Sequence, residues 1–193
     1  DLGWSMGDEW EFGVPTGDGV QYNGNVDPTS GYTGDNVYGV NLSGDYSSNS
    51  VNPSYLTTSA IDLSTVFNSR LYFRRWLNNA GPSLDGSATV EVSNDNLNWT
   101  PLWSAGNTAV EADWRLINYD ISTVADGQET VYIRWGFTGN EDGGTWYAYA
   151  GWNIDDVMIT GETNEPEHLT EAWVDLAYLG DEDGSEAQPF NTI

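Results

Sequence analysis

The chain has 193 residues, 30 carboxylates, five arginines, no lysine, no cysteine and one histidine, giving a formal net charge of −25. That balance excludes nucleic-acid backbones and anionic membranes as partners, because both would repel it. Without cysteine there is no disulfide framework and no thiolate metal site. No apolar run reaches the roughly 20 residues of a membrane helix, so no membrane insertion is expected. A domain of roughly 150 residues hides about 70% of its unfolded surface, so its core needs no covalent staple.

The 22 glycines combine with clusters of Asn, Asp and Ser to break the chain at short intervals. Between the breaks lie short runs rich in Val, Ile, Tyr, Trp and Leu. This rhythm predicts an all-β sandwich or barrel. Abundant Asp without Lys predicts a secreted, extracellular protein, and a well-solvated acidic surface explains the charge equally well.

In chain order, Trp4, Met6, Trp10, Phe12 and Val14 fall on even positions and predict a first strand or two. Residues 21–35 are polar and glycine-rich and predict a loop. Tyr38, Val40 and Leu42 alternate as the next strand, and Tyr55–Thr58 with Ile61–Leu63 form a further edge. Arg70 to Leu77 and Ala88 to Val92 are strands. Ser93-Asn94-Asp95-Asn96 is Asx-type turn chemistry, and Trp99 to Trp103 returns as the hairpin partner. Trp114 to Ile121 and Thr130 to Phe137 follow, the latter with Val131, Ile133, Trp135 and Phe137 on one face. Gly139 to Gly144 predicts a turn, and Trp152 to Ile159 closes the domain. The expected domain covers residues 1–162. Residues 163–193 form an acidic linker and a single strand, Trp173 to Leu179, too short to bury a core alone.

Few catalytic chemistries fit this composition. His168, the one histidine, falls in the linker, so the sandwich has no base for a Ser-His-Asp arrangement. Zinc ligands are too few, and a P-loop is impossible without lysine. A carboxylate pair remains: Glu9 and Glu11 flank Trp10 and would share one strand face, about 7 Å apart. Two solvated acids on an exposed strand give the same pattern.

A hard cation fits the oxygen-rich segments Asp8–Glu11, Gly34–Asn36 and Asn153–Asp156. The final strand is the informative one. Strict alternation groups Asp155 with Val157 and Ile159, and Asp156 with Ile154 and Met158. One of the two carboxylates must then approach the core. It needs calcium, an arginine or water at a strand end to meet the cost of burial.

These segments carry a resemblance. Trp10-Glu11-Phe12-Gly13, Gly31-Tyr32-Thr33-Gly34-Asp35-Asn36-Val37, Tyr55 to Leu63, Val90 to Asp95 and Gly151 to Val157 resemble the MAM-like and cleaved-adhesin-like jelly-roll modules of bacterial secreted proteins. The resemblance covers about residues 3–161. It implies a two-sheet antiparallel jelly-roll β-sandwich serving adhesion or recognition, often with structural Ca2+. The cation would be held by Glu11, Asp35 and Asp155, with Glu9 and Asp156 as substitutes. The tail, Trp173 to Ile193, resembles the start of right-handed parallel β-helix domains, which implies that a further β domain follows.

Trp10, Trp135 and Trp152 sit on apolar periods and are expected in the core; Trp99, Trp103 and Trp114 sit near turns and fit either environment. Trp146, Tyr147 and Tyr149 follow a glycine-rich turn and are expected as an exposed ligand-binding cluster, with cover of the sandwich edge as the alternative. The expected function is a non-catalytic, calcium-stabilised recognition or adhesion module at the cell surface, binding carbohydrate or a cell-surface protein. The alternatives are a fibre or surface-layer subunit that self-assembles through the C-terminal strand, and a carboxylate-pair glycosidase.

Overall fold

In a computed structural model the alternating runs pair into two antiparallel sheets. The structure describes residues 2–19, 23–47, 53–80, 87–139 and 148–163. The first strands are β1 (Ser5–Met6), β2 (Trp10–Gly13), β3 (Val37–Val40), β4 (Ser54–Thr57), β5 (Val66–Asn79) and β6 (Ser87–Ser93). Then come β7 (Thr100–Ser104), β8 (Ala109–Val110), β9 (Arg115–Asp120), one helical turn α1 (Ser122–Ala125), β10 (Tyr132–Thr138) and β11 (Gly151–Thr163). One sheet has the order β1-β4-β10-β6-β7. The other has the order β2-β3-β11-β5, with β8 and β9 both paired to the far side of β5. This is a two-sheet jelly-roll β-sandwich. Among the described residues no helix is long and apolar enough to cross a membrane.

The alternating positions of β10 become one wall of the core. Val131, Ile133 and Trp135 are fully buried and Phe137 is 1% exposed. Leu71, Phe73 and Leu77 of β5 and Trp152 and Ile154 of β11 face them from the other sheet. Trp4 joins the layers: its ring stacks on Tyr38 at 4.7 Å and on Trp135 at 5.6 Å. Phe73 meets Trp135 edge-on at 5.5 Å. Such pairs add to the burial of large rings.

The Asx turn is present. Asp95 Oδ1 accepts the N–H groups of Leu97 and Asn98 at 2.9 and 2.7 Å. The bonds from Asn98 hold the Asp95 carboxyl well below the usual carboxylate range. The expected edge at Ile61–Leu63 is reduced to a single bridge, Ile61 to Val131. Strand β8 and turn α1 are additions, too short to leave a period in the sequence.

The final strand departs from strict alternation, and the departure resolves the problem of its two acids. Asp155 pairs with Arg74, but the next pairing is Met158 with Tyr72. Asp156 sits in this bulge with φ +46. The bulge slips the strand by one residue, so Ile154 and Val157 both face the core although two acids separate them. Asp155 is half-buried and Asp156 exposed. Neither carboxylate enters the core, contrary to the alternation argument, because the chain spends an extra residue to keep both outside.

The region holding Trp146, Tyr147 and most of the expected turn at 139–144 lies outside the described residues, as do 164–193 with the expected tail strand.

Trp135→Ala should cost about 3–5 kcal/mol, read as a lower denaturant midpoint. Trp135→Phe should cost clearly less, because the buried indole N–H has no hydrogen-bond partner among the described residues to lose.

Candidate functional site

The functional candidates gather on the outer face of the sheet that contains β5 and β11. Cross-strand pairing lines up Glu11, Gly39, Asn153 and Trp76 in one row. The loop between β2 and β3 lies over it. Trp76 Nε1 donates to Val26 O at 3.0 Å, and the Asn25 N–H donates to Asn78 Oδ1 at 3.0 Å. Gly39 leaves room for this cover: a Cβ there would meet Asn153 Oδ1 at 2.6 Å.

Under the loop, Asn153 Nδ2 donates to Asp27 Oδ1 at 2.5 Å. Asp27 is 1% exposed and Asn153 fully buried. Asp27 Oδ2 and Asn153 Oδ1 have no partner among the described residues. Burial pushes the Asp27 carboxyl up to about 8. That value is the net of burial, the Asn153 bond that pulls it down, and the nearby Asp45 and Asp18 carboxylates that push it up. Asp27 is therefore mainly an acid at neutral pH. The acid form supplies a donor, and Asn153 Oδ1 is an acceptor that lacks one. Nothing in the sequence marked Asp27, because its burial comes from a loop folding back over a distant strand.

The five expected metal residues fall into two separate places. Asp155 Oδ2 accepts the Thr33 N–H at 3.1 Å, and Asp156 Oδ1 accepts the Thr33 hydroxyl at 2.5 Å. Asp35 is exposed on the same loop, its carbonyl accepting the Gly31 N–H at 3.3 Å. Glu11 Oε2 instead accepts the Leu42 N–H at 3.2 Å, and Glu9 Oε2 accepts the Ser47 N–H at 2.9 Å. Two strands and two residues separate Glu11 from Asp155, about 12 Å at ordinary strand spacing. Among the described residues no three Asp, Glu or His side chains gather into a group that could hold a metal ion. Glu9 precedes β2 with φ +68, so Glu9 and Glu11 do not share a strand face as expected of a catalytic pair.

Backbone oxygens complete a different arrangement. Thr33 O, Asp155 Oδ2 and Asn36 O lie 2.5, 2.7 and 3.2 Å from the point that a Gly31 Cβ would occupy. The three oxygens thus converge against the Gly31 Cα, too close to admit any side chain at position 31.

Four of the five arginines have carboxylate partners. Arg75 and Arg115 reach the buried Glu111 at 2.6 and 3.2 Å, Arg134 reaches Glu91 at 2.7 Å, and Arg70 reaches Asp120 at 3.6 Å. Arg134 also lies between the rings of Tyr55 and Trp99, at 4.0 and 4.1 Å. Arg74 has no carboxylate within ion-pair distance among the described residues. Its guanidinium lies 3.6 Å over the Tyr32 ring. It opens on a groove of ≈ 530 Å³ lined by Tyr72, Arg74, Leu116, Asp156, Val157 and Met158.

Of the expected aromatic cluster, Tyr149 alone is described. It is 7% exposed and stacks on Tyr46 at 6.5 Å, so it is a core ring rather than an open platform. Tyr72, Trp76 and Trp114 are half-buried on the outer face, and Tyr32 is 48% exposed. Trp76 and Trp114 meet edge-on at 5.9 Å.

No family model matches the chain. No curated protein matches it either. Among solved structures it is similar to TmCBM61 in complex with β-1,4-galactotriose, at 16% identity and a TM-score of 0.48, over 83% of this chain and 89% of that one. It is also similar to the K1 cleaved adhesin domain of Lys-gingipain from Porphyromonas gingivalis W83, at 17% identity and a TM-score of 0.46, over 83% and 95%. A third likeness is to CBM35 from Paenibacillus barcinonensis, at 17% identity and a TM-score of 0.44, over 83% and 94%. At these values the functional reading rests on the chain's own side chains.

Asp27 gives a pH prediction. Its folded value lies above its ordinary 3.8, so folding takes up a proton between roughly pH 4 and 8. The stabilisation is complete below pH 4 and is lost as pH rises through 8, by up to about 1.4 kcal/mol per pH unit. Asp27→Asn should flatten that slope in urea titrations at pH 5 and 8 in cation-free buffer. An unchanged slope would place the titration on another group.

Proposed function

We propose that this chain is a non-catalytic, calcium-stabilised recognition module of an extracellular protein, binding carbohydrate or a cell-surface protein. The observation that carries the recognition reading is the outer sheet face. Tyr32, Tyr72, Trp76, Trp114 and Arg74 stand outside the core there, beside an open groove. Flat rings with a guanidinium among them suit sugars, which present an apolar face and a hydroxyl rim. The motif resemblance points the same way.

The calcium reading rests on the oxygens that converge beside Gly31. One carboxylate oxygen from Asp155 and the carbonyl oxygens of Thr33 and Asn36 are the hard donors it prefers. Glu9 and Glu11 take no part, because their carboxylates lie at the Ser47 and Leu42 N–H groups, with Glu11 about 12 Å from Asp155. When bound, the ion supplies positive charge that ties the Gly31–Asn36 loop to β11. The chain has no disulfide to do this.

Two measurements test the reading. Affinity electrophoresis of the chain through a panel of polysaccharides should show retardation by at least one; retardation by none would overturn the carbohydrate arm. For calcium, extracellular modules bind at about 10⁻⁴ to 10⁻³ M. At ~100 times that constant the gain is about 2.7 kcal/mol. Chelator should lower the melting temperature, Asp155→Ala should abolish the response, and Glu11→Gln should keep it. A melt indifferent to chelator would overturn the calcium reading.

A further inference from the structure

Resting on the recognition reading, we infer that the groove across β9, β5 and β11 takes a neutral polysaccharide chain. Tyr72 serves as its stacking platform, and Arg74 and Asp156 form a donor–acceptor fork for its hydroxyls.

The register sets the geometry. Strand β5 presents Arg70, Tyr72, Arg74 and Trp76 at alternate outer positions. Tyr72 lies between Met158 and Asn118, and Arg74 between Asp155 and Leu116. Successive rows are about 7 Å apart, so a ring resting on Tyr72 has its rim within reach of the next row. Leu116 and Met158 are 54% and 53% exposed and give the groove an apolar floor and edge. The groove's ≈ 530 Å³ falls in the ordinary range of small-ligand sites.

Charge selects the ligand class. Arg74 offers up to five N–H donors, is steadied by the Tyr32 ring, and is not consumed by an ion pair. Asp156 lines the same groove and offers acceptor oxygens. A polyanion would meet Asp156, the adjacent Asp155 and a net charge of −25, with Arg74 as the one arginine without a carboxylate partner among the described residues to set against them. A neutral polyol meets a donor on one side and an acceptor on the other, and needs no compensating charge. The bulge at Asp156 makes the fork possible, because regular pairing would turn one of the two acids inward.

The test is affinity electrophoresis of the intact chain, with calcium present, in gels containing xylan, β-glucan or galactan and, separately, polygalacturonate or alginate. Retardation is expected in a neutral gel and not in the acidic ones. Arg74→Ala and Tyr72→Ala should each weaken it at least tenfold while melting within a few degrees of the parent. Arg74→Lys should stay weak, because an ammonium keeps the charge but not the fork. Trp99→Ala, just before β7 of the other sheet, should bind as the parent does. Neutral-gel retardation that survives Arg74→Ala and Tyr72→Ala would overturn this site while leaving the recognition reading intact. Retardation by acidic polymers alone would overturn the ligand class. Retardation in no gel would overturn the inference together with the carbohydrate arm of the reading.

Discussion

The ladder between β5 and β11 is the constraint on which the rest depends. Its paired residues run from Gly151 with Asn78 to Thr163 with Val66. The inner positions, Leu71, Phe73, Leu77, Trp152 and Ile154, build one half of the core. The outer positions carry Tyr72, Arg74, Trp76, Asn153 and Asp155, and the covering loop, the bulge and the neighbouring β9 side with Trp114 and Leu116 add the other groups of the site. One ladder thus ties stability to function. Its inner face fixes the register, and that register decides which outer side chains become neighbours.

Much of the sandwich was legible because β propensity and period agree. Val131, Ile133, Trp135 and Phe137 read as one buried face and are one. The Asx turn at Ser93–Asn96 was legible from its own side chains, since Asp95 and Ser93 bond to the backbone within a few residues. Strand β8 was not legible, because two residues have no period. The behaviour of Asp155 and Asp156 was not legible either. Alternation assumes an unbroken pleat, and a bulge is a decision made by the partner strand.

The candidate site was less legible than the fold, for a physical reason. Asp27 reads as an ordinary loop acid in a stretch of Asn, Gly and Pro, yet it is among the most deeply buried acids described. Its burial arises from contact with Asn153, 126 positions away. The groove draws its walls from β5, β9 and β11, and no sequence window contains all three. Tyr149 shows the reverse error. A glycine-rich approach suggested exposure, while the ring found Tyr46 and the core. The Asp155 and Gly34–Asn36 segments were read as cation donors, and they do adjoin, but around backbone carbonyls that carry no sequence signature.

The bulge at Asp156 also makes chain length part of the design. β11 carries one residue more than its partner needs between Asp155 and Met158. A deletion there would restore strict alternation without altering the chemistry of any remaining side chain. It would also leave every downstream side chain on its present face, Val157 and Ile159 toward the core and Met158 still opposite Tyr72, because the bulge alone holds the extra residue. At this point of the strand a one-residue loss is absorbed locally, and what disappears is the outward carboxylate at the bulge. Related chains should therefore tolerate the loss of one residue here, while an equal loss in the regularly paired stretch Met158–Thr160 would shift the register of all that follows.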